Sequence, residues 1–164
     1  MRVPIGATTT AGELLDELAC TATPLVIATL EDIEAGVEPT PQSAEGVTIA
    51  PQIHPGDVRI AVTADAEEID HLVRGASPAP GAWAKLDDKR FKILQTRFVE
   101  TGDDVPNSVA TAQPGQLVAT RKKLFLGTGS QPLELLQVQA FGKKAINGTD
   151  WARGAHIDAG TRLR

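Results

Sequence analysis

The residues best suited to chemistry in this 164-residue chain are cations gathered at three places. Lys85, Lys89, Arg90 and Lys92 lie within eight positions, Arg121, Lys122 and Lys123 are consecutive, and Lys143 and Lys144 follow in "FGKKAING", with Arg153 ten residues further on. Clusters of this kind at turns suit phosphate oxygens, with affinity drawn from counterion release and little reading of bases. Turns are also where lysines serve solubility, so binding patch and solvated turn are equally open on charge alone. The charge is unevenly divided. Residues 1 to 70 carry two basic and thirteen acidic side chains, whereas residues 71 to 164 carry fourteen basic and eight acidic. A polyanion would meet the second region.

Other reactive residue types form no constellation. His54, His71 and His156 share no metal-ligand spacing with one another or with Cys20, so no metal site is expected. Cys20 is expected as a small packed side chain. Asp87 and Asp88 stand in "KLDDKRFK", a hairpin-like surface, so no acid/base pair follows. "GTGS" at 127–130 lacks the lysine and the following helix of a phosphate loop and reads as a β-turn. No serine has an elbow motif. The sequence therefore gives no catalytic residue.

These cations must be positioned by elements the sequence also marks. Thr10 with Glu13 forms a capping box for a helix through residue 19, and Pro24 suits the first turn of a second helix ended by Gly36. The proline-rich stretch from Val37 reads as an extended linker with strand-like pieces at "VTIA" and "VRIAV". Asp65 and Glu68 predict a capped helix ending at Gly75. The elbow "RGASPAPGAW" then admits neither helix interior nor central strand, and leaves Trp83 available for the core. "RFKILQTRFV", "SVATA", "QLVAT", "KLFLGTG" and "PLELLQVQA" read as short strands, and "NGTDWARG" as a turn of helix capped by Asn147. The expected class is α+β, mainly β: a small, partly open barrel with short flanking helices. The organisation expected is 1–36, two helices; 37–64, linker; 65–164, barrel domain. No twenty-residue apolar run or leader pattern is present, which points to the cytoplasm.

Taken in order, "VPIGATTTAGELLDELA", "AEGVTIAPQI", "AEEIDHLVRGASPAPGAW" and "LELLQVQAFGKKAINGTDWARG" resemble the latter half of the methionyl-tRNA formyltransferase family, most closely its actinobacterial members. The resemblance spans nearly the whole chain. It implies an enzyme that moves a formyl group from 10-formyltetrahydrofolate to the amine of methionine on initiator tRNA. The two leading helices would end its Rossmann-like catalytic domain, and the OB-like C-terminal domain would hold the tRNA through a basic surface. The family's catalytic Asn, His and Asp have no counterparts here. The expectation is thus a C-terminal portion that binds initiator methionyl-tRNA without catalysing transfer, with the catalytic domain as a further partner. Two departures stand out: Ala61-Val62 occupies the place of a usual Asp-Trp, and Ile146 that of a frequent Met. A sugar-nucleotide N-formyltransferase and a diverged, non-catalytic interaction module are the alternatives.

Overall fold

The computed structural model describes residues 2–100 and 105–164. Its centre is an antiparallel sheet curled into a half-barrel. The chain runs α1 (Ala11–Glu34), α2 (Ala66–Ala76), β1 (Ala82–Leu86), β2 (Lys89–Phe98), α3 (Asn107–Ala110), β3 (Leu117–Ala119), β4 (Leu124–Leu126), β5 (Leu133–Ala140), β6 (Ile146–Asn147) and α4 (Gly148–Ala155). The strand order is β1-β2-β5-β4-β3, with β6 beside β5.

Asp87 and Asp88 make the β1–β2 turn, both in the left-handed region, φ 48° and 62°. That geometry matches the twist of the flanking strands, and aspartate tolerates it better than most residues. Register then fixes the faces. Trp83 opposes Lys92 and Lys85 opposes Arg90, while Ala82 opposes Ile93 and Ala84 opposes Phe91. Because side chains alternate along a strand, Ala82, Ala84, Phe91 and Ile93 enter the core with Leu133, Leu135 and Val138, while Lys85, Arg90 and Lys92 point outward; Trp83, of the same parity as these cations, is nonetheless buried in the core cluster. Ile69 and Val73 of α2 join the same core.

The sheet is closed by segments outside its six strands, one of them the strand-like "VRIAV". Trp83 donates its backbone N–H to the Val58 carbonyl at 3.1 Å, and Ile60 donates to the Trp83 carbonyl at 2.8 Å. Further along the same edge, Lys85 pairs with Arg164. At the opposite edge, Leu117 donates to the Thr161 carbonyl at 3.0 Å and Leu163 to the Gly115 carbonyl at 2.8 Å. Residues 161–164 thus bridge β3 to β1, satisfying edge groups that would otherwise be open to pairing with another chain. Val58 and Ile60, within the expected linker, are core residues.

Several local expectations are corrected. The two leading helices are one, α1, running through Pro24. A proline inside a helix removes one backbone hydrogen bond and crowds the preceding turn, but it does not stop a helix that continues on both sides. "SVATA" contains the helical turn α3, which follows Pro106 and buries Val109, and is not a strand. "VTIA" forms no strand pairing among the described residues, and Ile49 is exposed. Asp65 precedes α2 without capping it by its side chain. The Ala66 N–H is satisfied instead by the Ser130 hydroxyl at 3.0 Å, a partner sixty-four positions away. Cys20 is exposed, because α1 buries none of its residues.

The "GTGS" turn docks on the chain before α2. Gly129 donates its N–H to the Ala64 carbonyl at 2.8 Å, and a Cβ at Gly129 would collide with the Thr63 carbonyl. Its glycine serves close backbone approach, not an anion. Val62 is half-buried against the core, and a Cβ on Gly115 would lie 3.2 Å from its methyl.

The start of α1 is held by a small polar lock. Asp70, buried on α2, receives the Arg74 Nε–H at 2.8 Å and the Thr96 hydroxyl at 2.6 Å, and Arg74 Nη1 donates to the Thr9 carbonyl at 3.1 Å. The Thr10–Glu13 capping box forms as expected, and these bonds hold the Glu13 carboxyl below the usual carboxylate range, the Thr10 backbone N–H being the largest cause.

Candidate nucleic-acid interface

Two of the three cationic clusters border adjacent hollows that share Ala140, where the start of β2 adjoins the end of β5. Lys92 opposes Gln139 across β2 and β5, and Phe91 opposes Ala140, so the start of β2 lies beside the end of β5 and the turn after it. Arg90, Lys92, Gln139, Ala140, Phe141 and Gly142 line a hollow of about 240 Å3. The Gln139 side-chain amide donates to the Lys143 carbonyl at 2.7 Å, tethering the turn that carries Lys143 and Lys144. Those two lysines border a more apolar groove formed with Ile146 and Trp151.

Arg90 is held in place by the indole. Its guanidinium carbon sits 4.6 Å from the Trp83 ring centroid, and that of Arg59 sits at 5.7 Å. Stacking uses the faces of a guanidinium and leaves its N–H edge available for a phosphate. Neither Arg90 nor Lys92 forms an ion pair with a carboxylate among the described residues. Trp83 itself is buried, as expected, with 8% of its surface exposed. The indole belongs to the core cluster, and its Nε1–H bonds the Pro55 carbonyl, pinning the linker to the barrel.

The other cations are placed differently. Lys85 sits 3.9 Å from Asp88 and lines a separate cleft of about 570 Å3, where Arg162 and Arg164 face a mixed wall that includes Asp87, Asp88 and Asp158. Lys89 is exposed at the start of β2. Arg121 and Lys122 are exposed on the β3–β4 turn, which leans on α4 through the Thr149 hydroxyl donating to the Lys122 carbonyl at 2.9 Å. Lys123 in that turn is half-buried and lies 3.4 Å from Glu134, which also binds Arg97 at 2.7 Å. Arg153 is exposed and bonded to Asp150 at 2.9 Å. The interface sequence reasoning missed is Phe141, 67% exposed beside the cations. Its place in "AFGKK", an aromatic next to a basic turn, was the available signal.

Among the described residues no three His, Cys, Asp or Glu side chains gather as metal ligands, and no helix is long and apolar enough to cross a membrane.

A small antiparallel half-barrel with helices before and after it is an OB-like architecture. The chain belongs to the formyl transferase C-terminal domain family, which matches residues 52–156. It is 82% identical over its full length to the methionyl-tRNA formyltransferase of Cutibacterium acnes, covering 52% of that protein. It is 45% identical over 157 residues to that of Streptomyces coelicolor, covering 95% of this chain and 48% of the relative. The chain spans about half the length of these curated relatives and corresponds to their C-terminal part. Among solved structures, HypX from Aquifex aeolicus shares the fold, with a TM-score of 0.70 at 18% identity over 92% of this chain and 27% of that one.

Proposed function

We propose that this chain is the tRNA-holding part of a methionyl-tRNA formyltransferase, acting in the cytoplasm during translation initiation. In this reading the phosphate backbone of initiator methionyl-tRNA lies across the outer face of β1, β2 and β5. Arg90 and Lys92 contact it on one side of the hollow, and Lys143 and Lys144 from the following turn. Lys85, Lys89, Arg121, Lys122 and Arg153 widen the positive field, whereas Lys123 is committed to Glu134 and contributes little. The remaining half of such an enzyme would cover the apolar side of α1 and carry out formyl transfer from 10-formyltetrahydrofolate. This chain alone binds without catalysis.

The observation that carries the reading is the placing of two cation clusters, far apart in sequence, around adjacent hollows at one end of the sheet, in a chain whose relatives are methionyl-tRNA formyltransferases. Phosphate contacts of this type give affinity that falls steeply with salt, each neutralised phosphate adding about 0.7 to 0.9 to the slope. A filter-binding titration of the 164-residue chain with initiator tRNA at several salt concentrations tests it. Binding should weaken with salt and drop further when Lys143 and Lys144 are both changed to Glu. Salt-independent binding, or none, overturns it, as does formylation of charged tRNA by this chain alone.

A further inference from the structure

We propose that Phe141 is a stacking platform for an unpaired base, so that the hollow beside it takes a single-stranded or looped-out nucleotide and not simply the backbone of a helix. The proposal rests on the RNA-binding reading above and adds the kind of nucleotide this face accepts.

Three observations converge. Phe141 directly follows β5, and Gly142 turns the chain away with φ +69°, so the ring is left in solvent rather than folded over the barrel end. A phenyl ring so exposed contributes nothing to the core. The hollow it borders is flanked by Arg90 and Lys92, whose charges are uncompensated among the described residues, and floored by Gln139, a side chain able both to donate and to accept. Arg90 is held by Trp83, so a cation stands ready beside the ring without further ordering. A flat apolar ring, a fixed guanidinium, an ammonium and an amide make the combination that receives a nucleotide in sections: ring to base, cations to phosphate, amide to a base edge or ribose. A fully paired duplex cannot offer its base faces to such a ring, whereas an unpaired nucleotide can.

The test compares two probes of equal phosphate number, an oligouridylate of about twelve nucleotides and a blunt duplex RNA, against the full chain and its F141L and F141W variants. Leucine keeps the apolar character and removes the ring, and the site is exposed, so folding is not at stake. The oligouridylate should bind F141L about tenfold more weakly than the parent, with duplex affinity and salt slope unchanged. F141W should keep the affinity, and its added indole emission should be quenched by the oligouridylate and not by the duplex. Equal affinity of F141L and parent for oligouridylate, or equal losses on both probes, overturns the stacking role while leaving salt-sensitive tRNA binding intact. Absence of salt-sensitive binding to any RNA overturns both readings together.

Discussion

Lys85 and Arg164 exchange two backbone hydrogen bonds, Lys85 N–H to the Arg164 carbonyl at 2.7 Å and Arg164 N–H to the Lys85 carbonyl at 2.8 Å. With Leu163 bonded to Gly115 one residue earlier, four residues join the two edges of the sheet. Leu163 sits at the middle of this clasp, 2% exposed and within the core cluster. Leu163→Ala should cost about 2–5 kcal/mol, the range for a buried leucine truncated to alanine. Urea denaturation measures it, and a loss below about 1 kcal/mol would show that the clasp is an ornament of a sheet stable without it.

The clasp is delivered by a turn built on Asp158. Its carboxylate accepts from the Thr161 hydroxyl and the Gly160 N–H, both at 2.9 Å, and these bonds, Thr161 first, hold its pKa below the ordinary 3.8. A depressed carboxylate stabilises the fold above its unfolded value and loses that contribution as pH falls through the folded one. The denaturation midpoint of the parent should therefore exceed that of Asp158→Ala at pH 6, and the gap should close as pH falls below about 3.8. A gap that persists unchanged at pH 2.5 contradicts this assignment.

Asp70 and Arg74 tie α2, β2 and the entry to α1 together at a largely buried point, their side chains 6% and 17% exposed. Removing one partner of such a pair leaves the other charged and poorly solvated, at a cost of about 3–5 kcal/mol. Asp70→Ala should approach that figure. Arg74→Ala should also release Thr9, so that hydrogen exchange in the first turn of α1 accelerates more than in α2.

α1 presents a contrasting case. Leu25, Val26, Ile27, Leu30 and Ile33 are all exposed, and none of its residues is buried. Leu30→Glu should change the stability of the isolated chain by no more than about 0.5 kcal/mol while reducing self-association in sedimentation. A large destabilisation would mean that the stripe is already covered within this chain.

Much was legible in the sequence because it is local. The Thr10–Glu13 box, the Asn147 cap, the Asp87-Asp88 hairpin and the alternation in β2 and β5 each depend on neighbours a few residues away. Ordered motifs also pointed to the family that the comparisons show. The continuity of α1 through Pro24 was not legible, since a proline marks a boundary and a tolerated interruption with the same letter. Nor was the turn of helix in "SVATA", whose β-branched residues favour a strand until burial of Val109 decides otherwise.

The sequence by itself determined the Thr10 and Asn147 helix caps, the main strands, the hairpin and the division of charge. Tertiary structure alone decided which edges meet and which cations share a face. Residues 161–164 carry no strand period, because their order comes from the backbone groups of β1 and β3 that they satisfy, whereas "VRIAV" was legible as strand-like and only its partner, β1, was not. Likewise Lys123 and Lys92 look alike as letters. Glu134, eleven positions from the first, neutralises one, while the register of β2 against β5 sets the other beside Phe141, and both outcomes are fixed by strand pairing over a distance that local pattern does not record.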